Sequence, residues 1–228
     1  MYKTPLDIGN VVVKFKVDQS FTENIVDYAS TALILVGYQN DYFAKDGILR
    51  GVVEDPTGID RVLETTMRFI RSVSASPLTV VSTPIVLSPD YRAMASPVGI
   101  LNTIKESGAF KAGSTGAANI PQLDEFGDTI LYVTGKVGFN AFSNTSLEQV
   151  LADRQIRDVL VAGMVTSLCI DSTGRAAYER GYNVTVLSDC TSSRTKVEQD
   201  FFCSSVFPLY GRAATADEVL AELTTSAA

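Results

Sequence analysis

Two side chains stand out as able to do chemistry. Cys169 ends the run Gly163-Met164-Val165-Thr166-Ser167-Leu168-Cys169, which directly follows the apolar segment Asp158–Ala162. That places it in the first turn of the helix that follows, where unpaired N–H groups and the helix dipole favour a thiolate and can hold an oxyanion. A buried, inert thiol is the usual fate of a free cysteine, and position alone leaves both readings open. Lys136 stands just past the segment Thr129–Val133, in Thr134-Gly135-Lys136-Val137-Gly138. An amine at the carboxyl end of a strand can support a thiolate or a developing negative charge, and burial would lower its pKa. Read alone, a solvated loop lysine is the commoner case.

The chain offers few other reagents. Its 228 residues contain no histidine, which excludes a Ser-His-Asp triad, a Cys-His dyad, an HExxH zinc helix and a histidine pH switch. Cys169, Cys190 and Cys203 are odd in number and in no CxxC spacing, as expected of reduced thiols in a cytoplasmic protein. With 26 acidic against 19 basic residues, a formal charge of −7, there is no electrostatic footprint for a phosphate backbone. No basic amphipathic stretch points to a membrane surface, and no apolar run approaches the roughly 18 residues of a span. The expectation is a protein without nucleic-acid or membrane partners that acts on a small molecule.

These reagents need a scaffold, and the apolar pattern supplies one. The runs Ala32–Val36, Leu78–Val81, Thr129–Val133, Asp158–Ala162 and Asn183–Leu187 are continuous and rich in β-branched residues, as for strands buried on both faces of a parallel sheet. Helical stretches alternate with them. One is expected over Thr57–Ser74 and another over Ser167–Arg180, capped by Gly181. Thr145-x-x-Glu148, Thr195-x-x-Glu198 and Thr215-x-x-Glu218 read as capping boxes. The pattern predicts a doubly wound α/β domain from residue 31 to 228 behind an N-terminal arm, residues 1–30. The irregular stretch 83–121 should wrap over the mouth of the sheet. Ligands of such sheets bind beyond the carboxyl ends of the strands, which draws attention to Gly37, Ser82, Lys136, Met164 to Cys169, and Asp189.

Several blocks together resemble the isochorismatase-like cysteine hydrolases. Ala32 to Phe43 resembles that family's opening strand and its D-x-Q-N-D-F motif, here Gly37-Tyr38-Gln39-Asn40-Asp41-Tyr42. The Lys136 segment through Phe142 and Asn144-Thr145-Ser146-Leu147 resembles its lysine loop. Gly163 to Cys169 resembles its G-x-x-T-x-x-C nucleophile turn, and Ala176 to Tyr182 and Leu187 to Cys190 continue the match. The resemblance implies a three-layer α/β/α fold around a largely parallel six-stranded sheet, in homodimers or homotetramers. It also implies a C–N bond hydrolase in which Cys169 forms a thioester, Lys136 supports it, and the Val165 and Cys169 N–H groups hold the oxyanion. A cis peptide would join Met164 to Val165, and Tyr42, Gly37 and Met164 would line the substrate pocket.

The sequence departs from that pattern where the family carries its proton-accepting aspartate. Gly37 stands there, cannot take a proton and should leave space beside the thiol. Lys136, Asp41, Asp171, a water or the substrate would have to handle the proton, or the protein would be a catalytically silent binding or scaffolding member. The metal-binding histidines of nicotinamidases are missing too, with Ser82-Thr83-Pro84-Ile85 in place of H-T-P-I, so no metal and no cofactor are expected.

Overall fold

The computed structural model describes residues 27–94 and 96–225. Six strands form one sheet: β1 (Thr31–Val36), β2 (Thr79–Thr83), β3 (Ile130–Tyr132), β4 (Asp158–Met164), β5 (Asn183–Ser192) and β6 (Arg212–Ala214). Their order is β3-β2-β1-β4-β5-β6 with every pairing parallel. β1 is buried along its whole length, as its unbroken apolar run requires of a central strand. Five of the six strands coincide with the expected runs. β6, three residues long, was too short to stand out as a run.

Seven α-helices lie among the described residues: α1 (Asn40–Phe43), α2 (Pro56–Val73), α3 (Ile100–Ser107), α4 (Leu147–Asp153), α5 (Asp171–Tyr178), α6 (Lys196–Phe201) and α7 (Ala216–Thr225). α2 starts at Pro56 behind the Asp55 cap and buries Ile59, Val62, Thr66, Phe69, Ile70 and Val73 on one face. It packs with α7 on β5, while α5 lies on β4 and β5. The doubly wound fold is therefore as expected. No described helix is long and apolar enough to cross a membrane.

The caps differ in detail. Thr215 and Glu218 make the full reciprocal box, and the Thr195 hydroxyl accepts the Glu198 N–H at 3.1 Å. Thr145 does not cap with Glu148. Its hydroxyl donates to Ala141 O, α4 begins two residues later, and Glu148 pairs with Arg180. Of the expected arm, residues 1–26 lie outside the described residues, and Tyr28–Ser30 form a short 3-10 turn capped by Asp27.

Strand pairing brings the chemistry to one edge. Val36 at the end of β1 pairs with Thr83 of β2 and Gly163 of β4, so three carboxyl ends finish level. Gly163 makes this approach possible: its φ is +128°, and a Cβ there would lie 1.9 Å from Val36 O. We predict that Gly163→Ala lowers unfolding stability by well over about 1 kcal/mol, because neither backbone nor neighbour accommodates the methyl. Urea denaturation checks this, and an unchanged midpoint would contradict it.

Candidate active site

Cys169 lies in a wide π-helical turn, Thr166–Ile170, that runs without a break into α5 at Asp171. The Ile170 N–H donates to Val165 O at 3.2 Å. The expected helix Ser167–Arg180 is thus present with its first turn widened, a type of turn frequent at functional sites. The peptide from Met164 to Val165 is cis. Thr166 braces the turn by donating to Gln199 Oε1 at 2.7 Å, and Gln199 is held in turn by Ser188 O and Thr191.

Lys136 comes to this turn from the loop after β3. Its side chain is fully buried, and its amine donates to Gly138 O and stands 3.6 Å from Cys169 Sγ. Burial pushes the amine below the usual lysine range, against an opposing pull from the thiol. Neither aspartate considered from sequence serves the pair. Asp41 Oδ2 accepts the Phe110 N–H at 2.6 Å, and Asp171 is engaged by Arg175 and by the Tyr210 hydroxyl at 3.1 Å. Among the described residues, no carboxylate is hydrogen-bonded or ion-paired to Lys136. Asp189 is likewise turned away, accepting the Ala216 N–H at the start of α7.

The space over Gly37 is bounded by Tyr42. Gly37 has φ +72°, and a Cβ there would meet Tyr42 Cε2 at 3.4 Å and Met164 O at 3.5 Å. The Tyr42 ring lies over the glycine, tilted against Phe110 with centroids 5.2 Å apart. Burial raises the Tyr42 phenol well above its ordinary range, helped by Cys169 and Asp41, so it stays protonated.

The Gln-Asn-Asp run does positional work that the sequence reading did not assign. Gln39, fully buried, donates to Ile85 O and Ala117 O and accepts the Ile85 N–H, all within 2.8 Å. Asn40 donates to Thr115 O, and Asp41 holds Phe110. Three successive side chains therefore pin segment 85–117 across the strand ends. A run of amides and acid directly after a wholly apolar strand was the available signal, since polar groups buried there must find backbone partners.

The pinned segment closes a small cavity over the thiol. Tyr42, Ile85, Leu101, Phe139 and Leu168 are among its walls, and its volume of ≈ 10 Å³ is about what one water needs. Gly37 and Met164, expected in the pocket, are not among these walls, and the Tyr42 ring lies beside Gly37. Phe142, in the segment after Lys136, stacks on Tyr182 beneath Arg180. The other thiols are poor nucleophiles: burial pushes Cys190 up to about 12 and Cys203 up to about 11. The residues present do not fit a metal. Position 82 is a buried serine, and among the described residues no three His, Cys, Asp or Glu side chains gather.

The isochorismatase domain model matches residues 31–218. The chain is 32% identical over 180 residues to ureidoacrylate amidohydrolase RutB of Methylorubrum extorquens, covering 72% of this chain and 71% of that protein. Among solved structures, an isochorismatase family protein from Burkholderia thailandensis is 25% identical with a TM-score of 0.68, over 86% of this chain and 96% of the other. A cysteine hydrolase from Pseudomonas syringae pv. phaseolicola shares the fold at 20% identity with a TM-score of 0.75, over 88% and 95% of the two chains. With the level strand ends, the nucleophile-type turn and these matches in hand, the chain belongs to the isochorismatase family.

Proposed function

We propose that this chain is a cysteine-dependent hydrolase that cleaves a C–N, amide-like bond of a small molecule through a thioester on Cys169. The observation that carries the proposal is the buried Lys136 amine, 3.6 Å from Sγ with, among the described residues, no carboxylate hydrogen-bonded or ion-paired to it. The similarity to an amidohydrolase supports the bond type. In this reading Lys136, made less basic by burial, does the work that the family's aspartate would do at position 37.

The steps balance on that dyad. The neutral Lys136 amine takes the thiol proton, and the thiolate adds to the substrate carbonyl carbon. Backbone N–H groups of Val165 and Cys169 receive the charge that develops on oxygen. The C–N bond breaks as the Lys136 ammonium returns its proton to the leaving nitrogen, and the acyl group remains on sulfur. Water then adds to the thioester, giving a proton to Lys136. The acid departs as the thiolate leaves and is reprotonated by the ammonium. A silent member that binds without turnover is the competing reading, and Gly37 in place of a carboxylate is what favours it.

The deciding experiment offers a panel of small amides, reads released ammonia or amine, and looks for an acyl adduct by intact mass. We expect turnover and an adduct in the wild type and neither in Cys169→Ala. Lys136→Arg should lose about 10²–10⁴-fold, because a guanidinium keeps the charge but takes no proton. No release and no adduct from any amide would overturn the proposal, and full activity in Lys136→Arg would reduce the lysine to a fixed charge.

The depressed Lys136 pKa also links to stability. The unfolded chain holds the lysine proton up to its ordinary value of 10.5, whereas the native state releases it at lower pH. Between the two values the unfolded state binds more protons, so stability rises with pH across that window. The rate should climb through the same native pKa as the neutral amine becomes populated. Lys136→Met should remove this rise in stability, which urea denaturation at stepped pH measures; an identical pH slope in both proteins would contradict it.

A further inference from the structure

We infer that the cavity beside Cys169 accepts a neutral substrate with an apolar acyl part and rejects amides that carry a carboxylate. The inference rests on the proposal that Cys169 is the nucleophile and adds the class of molecule presented to it.

The walls carry the argument. Ile85 and Leu87 follow β2, Ile100, Leu101 and Ile104 come from α3, and Leu168 precedes the thiol. Val137, Gly138 and Phe139 complete the ring, and among the described residues no Arg, Lys, Asp or Glu takes part in it. A carboxylate brought here would lose its hydration and find no cation, and an unpaired buried charge is among the most unfavourable arrangements in a protein. The nearest amine, Lys136, is already committed to Gly138 O and Cys169, and burial favours its neutral form. Asp41 makes the electrostatics worse for an anion, since it is felt at the Tyr42 hydroxyl.

Volume points the same way. With only ≈ 10 Å³ open, a substrate must part the side chains of the wall, and those are aliphatic and aromatic. One polar group is left over: among the described residues the Tyr42 hydroxyl makes no hydrogen bond, although the residue is only 4% exposed. It offers a single neutral partner to the polar end of the guest, beside the thiol. An apolar body with one amide head fits this arrangement, whereas a ureidoacrylate, by its name an acid, does not.

Protection of Cys169 from iodoacetamide tests this without requiring turnover, because Cys190 and Cys203 are held protonated by burial. The modified site is located by peptide mass in the presence of isovaleramide, benzamide or N-carbamoyl-β-alanine. We expect the two neutral amides to slow modification at concentrations at least about tenfold below that needed for the carboxylate, about 1.4 kcal/mol in affinity. Equal or better protection by N-carbamoyl-β-alanine, or none by either neutral amide, would overturn the inference. Leu101→Arg, at a half-buried position of the wall, should shift the preference toward the carboxylate; an unchanged order in the folded variant would count against it. Protection by neutral amides without ammonia release sustains the pocket assignment and overturns hydrolysis. Ammonia release from the carboxylate alone does the reverse.

Discussion

A lysine amine shut off from bulk solvent and, among the described residues, without a carboxylate partner is the constraint on which the site depends. Burying an ammonium unpaired is strongly unfavourable, and proteins commonly respond by releasing the proton. The Lys136 amine has a carbonyl and a thiol as its only hydrogen-bond partners among the described residues. The group best placed to relieve it is therefore also the group with a proton to exchange. In the proposed reading, that pairing lets an amine beside the thiol take the part of the base in place of a carboxylate.

The rest of the fold keeps this pair dry and aligned. β1, β2 and β4 end level because Gly163 lets β4 approach the backbone of Val36. Gln39, Asn40 and Asp41 then fasten the segment between β2 and β3 across those ends. The same fastening places Ile85, Leu87 and α3 side chains over the thiol, so in the proposed reading exclusion of water and choice of substrate share one origin. Tyr42 bounds the space above Gly37 and adds a neutral hydroxyl to an otherwise apolar wall.

Much of this was legible in the residues. The apolar runs specify the parallel sheet because strands buried on both faces cannot alternate, and the level of the strand ends follows once the runs are paired. Cys169 and Lys136 could each be placed beyond the carboxyl end of a strand by the same logic, and the resemblance to a known family brought them together with the cis Met164–Val165 peptide. What escaped was long-range. The partners of Gln39 lie 46 and 78 residues away, and nothing local announces them. The widened first turn of the Ser167–Arg180 helix escaped because it leaves the apolar periodicity unbroken. The Tyr42 ring beside Gly37 was not foreseen because its place is set by backbone direction. Asp189 was plausible by position but is drawn off by the α7 terminus.

The central claim is that Lys136 is available as a base, and titration of its amine reads that directly. With lysine labelled at Cε with carbon-13, the Lys136 resonance is identified by its loss in Lys136→Arg and followed against pH in the resting protein. The account predicts a midpoint below the ordinary 10.5, falling further in Cys169→Ala because the thiol is what holds the proton on. A midpoint at or above 10.5, unmoved by removal of the thiol, would contradict it.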